Sequence, residues 1–440
     1  MYGIIQPCLS LTLIWLGLLS VSADEPLDIS PVWSGHPVGF ALLTHPPHQY
    51  VAFYDDQRRM TVASRELDDA EWHFVRLPEI IGWDSHNYVT MTIDDDGYIH
   101  LSGNMHCVPL IYFRTARPYD VDSFQRISSM VGENEKRCTY PRFLRGASNE
   151  LLFTYRDGSS GNGDQIYNVY DLKSQTWRRL LDQPLTSGEG KMNAYLNGPS
   201  RGPDGFFHIC WVWRDTPDCA TNHDPSYARS KDLVHWETSD GTPLSLPITL
   251  ATGEIVDPVP AGGGVINGNT KLGFDSQDRV IVSYHKFDEQ GNTQLYSARR
   301  EDSGWEVYQT SQWDYRWDFS GGGAIGFEIR IGSVRVEPDG RLSQSYSHVK
   351  HGSGQWILDE DTLKPIGELP RKRSYPSIRT ESDFPGIQVR WSGDMGKGSE
   401  PGVRYAMCWE TLGANRDRPR EAPYPAPSML RLYKLRDGEE

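Results

Sequence analysis

A chain of 440 residues is long enough for one large core or two ordinary ones, so its architecture has to be read from pattern. A formal charge of −15 at pH 7 argues against nucleic acid or an anionic membrane as the main partner, since either calls for a basic surface. An acidic ligand remains open wherever basic side chains converge locally. The abundance of Gly, Pro, Trp and Tyr, without a long amphipathic helical stretch, reads as all-β.

The first element in chain order is an apolar run from Leu9 to Leu19, followed by Val-Ser-Ala and then acidic residues. This predicts a secretory leader over residues 1–23, cleaved after Ala23, and a secreted or periplasmic mature chain of residues 24–440. An unprocessed membrane anchor is the alternative, but the run is short for a span, so the mature protein is expected to be free of the membrane. Cleavage removes Cys8 and leaves Cys107, Cys138, Cys210, Cys219 and Cys408, an odd number that cannot pair completely within the chain.

Two elements then recur along the sequence. One is an extended run often introduced by an Asp-Gly turn, as in DGYIHLSGNMH, NELLFTYRDG, DGFFHICWVWR and DRVIVSYHKFD. The other is a strand ending in Tyr, Arg or Ser, then a polar turn, then often Trp, as in QIYNVYDLKSQTW, PSYARSKDLVHW and QLYSARREDSGW. Each occurs seven times, at a spacing of about 55 to 70 residues, which suits four short antiparallel strands and their turns. The expected fold is a single seven-bladed β-propeller with four antiparallel strands per blade, and a two-sheet sandwich is the structural alternative.

Aligning these units predicts neighbours, because the ends of the inner strands of a propeller converge on one face. About ten residues before successive turns stand His86, Tyr140, Tyr195, Asn267 or Asn269, and Arg330. A few residues after them come His106, Arg156, Arg214, His285 with Lys286, and His348. His100 instead shares its repeat position with His208, which favours a recurrent packing role. The expected catalytic set is therefore His86, Tyr140, His106 and Arg156, with Tyr195, Asn87 and Arg214 binding substrate.

An Arg and a proton-donating His would neutralise a carboxylate, while a neutral His and a Tyr could exchange protons with carbon and oxygen. That combination suits β-elimination on a uronic acid, with His86 as base and Tyr140 as acid, or with the roles reversed, or with Tyr140 serving both steps. Glycoside hydrolysis would call for two positioned carboxyl groups, and Asp84 and Asp157 keep it open. A sialidase-like hydrolase could draw on Arg156, Arg214 and Arg330, but lacks an equally placed Glu. A non-catalytic carbohydrate-binding propeller is the remaining alternative.

A second constellation is HICWVWRDTPDCATNHD. His208 and Cys210 share one face of a strand, and Cys219 and His223 could return on the next, so the four could form a closed tetrahedral site for a structural zinc. A disulfide between Cys210 and Cys219, or ordinary packing, competes with that reading, and Cys107 and Cys138 are a further possible pair.

The segments SHNYVTM, DGYIHLSGNMH, TYPRF, FTYRDGSSGNGDQIYNVYD, MNAYLNGP and HICWVWRDTPDCATNHDPSYARS resemble the seven-bladed polysaccharide lyases that cleave ulvan, especially lyase family 25 and more distantly family 24. The resemblance spans most of the mature chain. It implies a lyase acting on an acidic polysaccharide; the elimination chemistry itself needs no organic cofactor, and a monomer is expected. The family's two histidines would match His86 and His106, its tyrosine and arginine Tyr140 and Arg156, a further cleft tyrosine Tyr195, and its structural zinc ligands His208, Cys210, Cys219 and His223.

Overall fold

Each Asp-led turn closes a hairpin because the carboxylate caps backbone amides that the tight bend would otherwise leave unpaired. Asp94 accepts from the amides of Asp96 and Tyr98 at 3.1 and 2.8 Å, while Gly97 takes the left-handed conformation at φ 86°. Asp55 and Asp275 repeat the device, each capping the amides two and four residues on. The repeated motif is thus a repeated turn, and the strands on either side pair antiparallel.

The computed structural model describes residues 22–23, 25–370, 373–396, 398 and 400–436. Most of the expected leader, residues 1–21, lies outside the described residues. Among these residues the chain is all-β, with helical geometry only in the single 3₁₀ turns Val121–Ser123 and Cys219–Thr221. No helix among them is long and apolar enough to cross a membrane.

The strands form seven sheets of four to six strands among the described residues, six of them following one another between Ala41 and Leu369. The seventh combines Ile387–Gly393, Val403–Leu412 and Ser428–Arg436 with strand Leu27–Val32 from the other end of the chain. The strand Ala41–His45 touches Val89–Ile93 of the next sheet, which touches Cys138–Arg145. Asn193–Arg201 touches Lys271–Phe274, which touches Arg335–Val336, and Ala41–His45 also touches Ile387–Gly393.

The apolar cores lie between neighbouring sheets, where the faces of successive hairpins meet. Phe40 stacks on Trp409 at 4.6 Å where the first and last sheets join. Trp211 and Trp213 are fully buried. Burial of such large apolar side chains stabilises by on the order of 2–3 kcal/mol each.

His100 and His208 turn out to be equivalent packing groups. His100 is fully buried, with Nδ1 on the Tyr112 hydroxyl at 2.7 Å and Nε2 on Asp94 at 3.1 Å. His208 repeats this with Tyr227 at 2.6 Å and Asp204 at 2.9 Å. Both imidazoles are spent on holding a turn aspartate and a strand tyrosine together.

Candidate active site

Two departures from regular pairing assemble the site. Strand His106–Val108 leaves the sheet that holds Ile99–Gly103 and pairs instead with Cys138–Arg145, setting His106 opposite Thr139. The register on the other side of that strand shifts between Thr139 and Arg142, a bulge that re-aims Tyr140. Tyr140 and Cys107 both sit in the left-handed region, at φ 57° and 58°, a conformation that costs about 1–3 kcal/mol for residues other than Gly. His86, His106 and Tyr140 consequently meet, with ring centroids 4.5 Å apart for the two imidazoles and 5.7 and 6.5 Å from each to the phenol ring.

The imidazoles are organised by carboxylates. Asp84 accepts from His86 Nδ1 at 2.7 Å through one oxygen and from His106 Nδ1 through the other. His86 Nδ1 also lies 3.3 Å from Asp417, and the loop holding Asp417 is fixed by Ser85, whose amide and hydroxyl donate to it at 3.0 and 2.6 Å. Burial alone would lower the His86 pKa, but its bonds to Asp417 and Asp84 outweigh that and hold it up at about 9. Burial pushes the Asp84 carboxyl up, yet the hydrogen bonds from His106 and His86 keep it well below the usual carboxylate range. The expectation of His86 as a base therefore meets an imidazolium at neutral pH, because two carboxylates face one ring nitrogen. Among the described residues neither Nε2 atom has a hydrogen-bond partner, and both rings line the cavity.

Arg156 lies almost fully buried beneath this group. Gly163 on the adjacent strand makes room for it, since a Cβ there would fall 2.8 Å from Arg156 Cδ. The guanidinium reaches Thr139 Oγ1 at 3.2 Å, Cys107 Sγ at 3.5 Å and the Tyr195 hydroxyl at 3.4 Å, and stands 5.0 Å from the Tyr140 ring centre. Among the described residues no carboxylate pairs with it, and its Nε has no partner. A buried cation without a counter-charge is costly unless an anion completes it. The Tyr140 phenol is raised well above its ordinary range by burial, which keeps it protonated.

These groups open on a cavity of about 750 Å³, whose wall carries the cations Arg142, Arg156, Arg214 and Lys271 and, among the described residues, no Asp or Glu. In a chain of net charge −15 that segregation is a local inversion of sign. Tyr195 lines the cavity with its hydroxyl on Ser160 at 2.6 Å, and Arg214 crosses its ring at 5.4 Å. The expected set His86, His106, Tyr140, Arg156, Tyr195 and Arg214 is thus brought together. Asn87 is not: it closes the Asp84–Asn87 turn, its carbonyl accepts from Tyr54 at 2.7 Å, and it forms no part of the wall.

The zinc set is corrected by the register. His208 lies opposite Arg229 near one end of its strand while His223 lies opposite Trp213 near the other, so the four side chains do not converge. His208 is held by Tyr227 and Asp204, and His223 by Asp215 and Asp224 at 3.0 and 2.9 Å. The five described cysteines are free thiols, so neither the Cys210–Cys219 nor the Cys107–Cys138 disulfide is formed. Asp84, His86 and His106 are the cluster among the described residues whose ligand atoms lie within 4.8 Å of one another. The facing atoms there are already satisfied as imidazole-to-carboxylate hydrogen bonds.

The groups of the hydrolytic alternatives do not gather in the cavity: neither Asp84, whose two oxygens hold histidines, nor Asp157 lines it, and Arg330 lines a different groove from Arg156 and Arg214. Sequence reading missed Asp417, which lies more than 300 residues from His86 with no motif to mark it. It also gave Asp84 the wrong part, although Asp-Ser-His is a recognisable capping pattern.

Fold and site together define an all-β repeat protein with a cationic cleft over the ends of its inner strands. The chain belongs to the BNR repeat-containing family, whose profile matches residues 48–313, more than half of its length. It is 26% identical over 124 residues to the long isoform of an ulvan lyase from Pseudoalteromonas sp. (strain PLSV), a match covering 26% of this chain and only 12% of that protein. The crystal structure of polysaccharide lyase Uly1 superposes with a TM-score of 0.61 at 13% identity, covering 94% of this chain and all of that one (100%). An ulvan lyase of the PL25 family gives 0.58 at 14% identity, covering 94% and 96%, and the same kind of structure bound to -[GlcA(1-4)Rha3S]- gives 0.58 at 13% over the same shares. At these identities the likeness is one of fold, an all-β architecture similar to the ulvan lyases.

Proposed function

We propose that this protein is a secreted seven-bladed propeller lyase that cleaves a uronic-acid polysaccharide, ulvan in particular, by β-elimination. The observation that carries the reading is the buried Arg156 guanidinium, with which no carboxylate among the described residues pairs, beside Tyr140 and two carboxylate-oriented histidines in a cavity that no described Asp or Glu lines. Arg156 and the charged His86 take the uronate carboxylate and stabilise the charge that develops on it when the C5 proton leaves. His106, whose Nδ1 is tied to Asp84, presents Nε2 as the base that removes this proton. The C5–H electrons form the C4–C5 double bond, the C4–O4 bond breaks, and the protonated Tyr140 phenol gives its proton to the departing oxygen. The base thus moves from His86 to His106, while Tyr140 keeps the acid's part.

The cation-rich wall and the fold shared with the ulvan lyases support this reading, and the sequence-derived leader supports secretion. The test is incubation with ulvan, glycosaminoglycan and pectin. A lyase produces unsaturated uronyl ends that absorb in the ultraviolet on one of these polymers. New reducing ends without that absorbance would replace elimination by hydrolysis, and binding without any product would leave a carbohydrate-binding propeller.

A further inference from the structure

Between the sheet holding Ile329–Leu369 and the one holding Ile387–Arg436 lies a second groove, of about 760 Å³. Its lining includes Arg330, Arg335 and Arg373 together with Tyr346, Tyr375 and Trp391 and, among the described residues, no Asp or Glu. Arg335 pairs with Glu337 at 3.1 Å, whereas no carboxylate among the described residues acts on Arg330. The aromatic part is preorganised: Tyr375 stacks on Trp391 at 4.9 Å with the rings 2° from parallel, and Arg404 holds the Ser374 carbonyl and lies over the Tyr375 ring. Tyr346 in turn stacks on Trp356 at 4.1 Å.

Arg330 also joins this groove to the active cavity. Its guanidinium lies 5.0 Å from the ring centre of Phe327, and Phe327 lines the cavity wall. The two depressions therefore share a boundary of one cation over one ring.

We infer that this groove is a second binding site for an acidic polysaccharide strand, holding polymer away from the point of cleavage. Arginine forks suit carboxylate and sulfate groups, and rigid aromatic rings offer apolar faces to sugar rings at low entropic cost. The same combination on a chain of net charge −15 would attract a polyanion locally while the rest of the surface repels it. The identity of the polymer rests on the function proposed above; the groove's cationic and aromatic chemistry does not.

Native gel electrophoresis through ulvan-containing gels tests it, run in a Tyr140→Phe background so that the polymer stays intact, with neutral dextran as control. Retardation by ulvan and not by dextran is expected, and the double variant Arg335→Ser, Tyr375→Ala should weaken it about tenfold, equivalent to about 1.4 kcal/mol. With Tyr140 restored, the double variant should raise KM for polymer several-fold while leaving turnover of an ulvan tetrasaccharide unchanged. Unchanged retardation in a well-folded double variant overturns the proposal, as does equal retardation by dextran. If the double variant melts early, Arg335→Glu, an exposed charge reversal, answers the same question. If the protein with Tyr140 intact leaves ulvan uncleaved while the groove variants lose retardation, the lyase reading ends and the groove stands.

Discussion

Replacing Asp417 by Asn is nearly isosteric and removes one of the two carboxylates facing His86, together with the acceptor for the Ala324 amide. The carboxylate lies 3.3 Å from His86 Nδ1, and at an effective dielectric constant of about 20 the attraction is about 5 kcal/mol. The imidazole is about a quarter exposed, and Asp84 remains at 2.7 Å, so solvent screening reduces the loss to about 1.5–2.5 kcal/mol. That is a fall of about 1–2 pK units from the value near 9. Because the folded-state pKa stands above the unfolded value of about 6.5, the stabilisation from charged His86 is complete below about pH 6.5 and is lost as pH rises through about 9. In Asp417→Asn that loss should occur as pH rises through about 7–8. NMR titration of the His86 ring, assigned through His86→Gln, measures the shift directly, and denaturant melts at pH 6 and 9 measure its effect on stability. A His86 that titrates near 6.5 in the parent, or at an unchanged pH in the variant, would refute the account of two carboxylates holding one charge.

Arg156→Lys keeps the charge and loses the fork, so kcat on ulvan should fall on the order of a hundredfold while KM moves by less than about threefold; a KM effect alone would make Arg156 a binding group only. His100→Ala strands the buried Asp94 and Tyr112 groups and should cost about 2–4 kcal/mol in denaturant melts, with activity per folded molecule retained. A well-folded His100→Ala that is inactive would overturn its assignment as a packing group. Strong chelators should leave the melting temperature within about a degree, because His208 and His223 are held by tyrosine and carboxylate partners; a fall of several degrees with release of zinc would restore the metal.

The all-β class, the repeated Asp-led hairpins and the approximate ends of the strands on which the reactive residues stand were all legible in the amino-acid order. Those are local properties: a turn aspartate caps amides two and four residues away, and strand alternation follows from the same few residues. His100 could be recognised as a packing histidine for the same reason, since the place in the repeat that it shares with His208 recreates the same Tyr and Asp partners, although the zinc reading claimed His208 for a metal. The charge state of His86 could not be read that way, because Asp417 reaches it from the far end of the chain once the last sheet folds beside the first. Nor could the pairing of His106 with the strand of Tyr140, which depends on a short strand changing sheets and on a bulge in its new neighbour. The proposed zinc set failed in the opposite sense: alternation correctly put His208 and Cys210 on one side of a strand, but the register of the returning strand, fixed by pairing along its whole length, carried His223 to the other end. Spacing along the chain decides which side chains share a face, whereas the tertiary structure decides which faces meet, because contacts between strands distant in sequence are set by the closing of the whole sheet assembly.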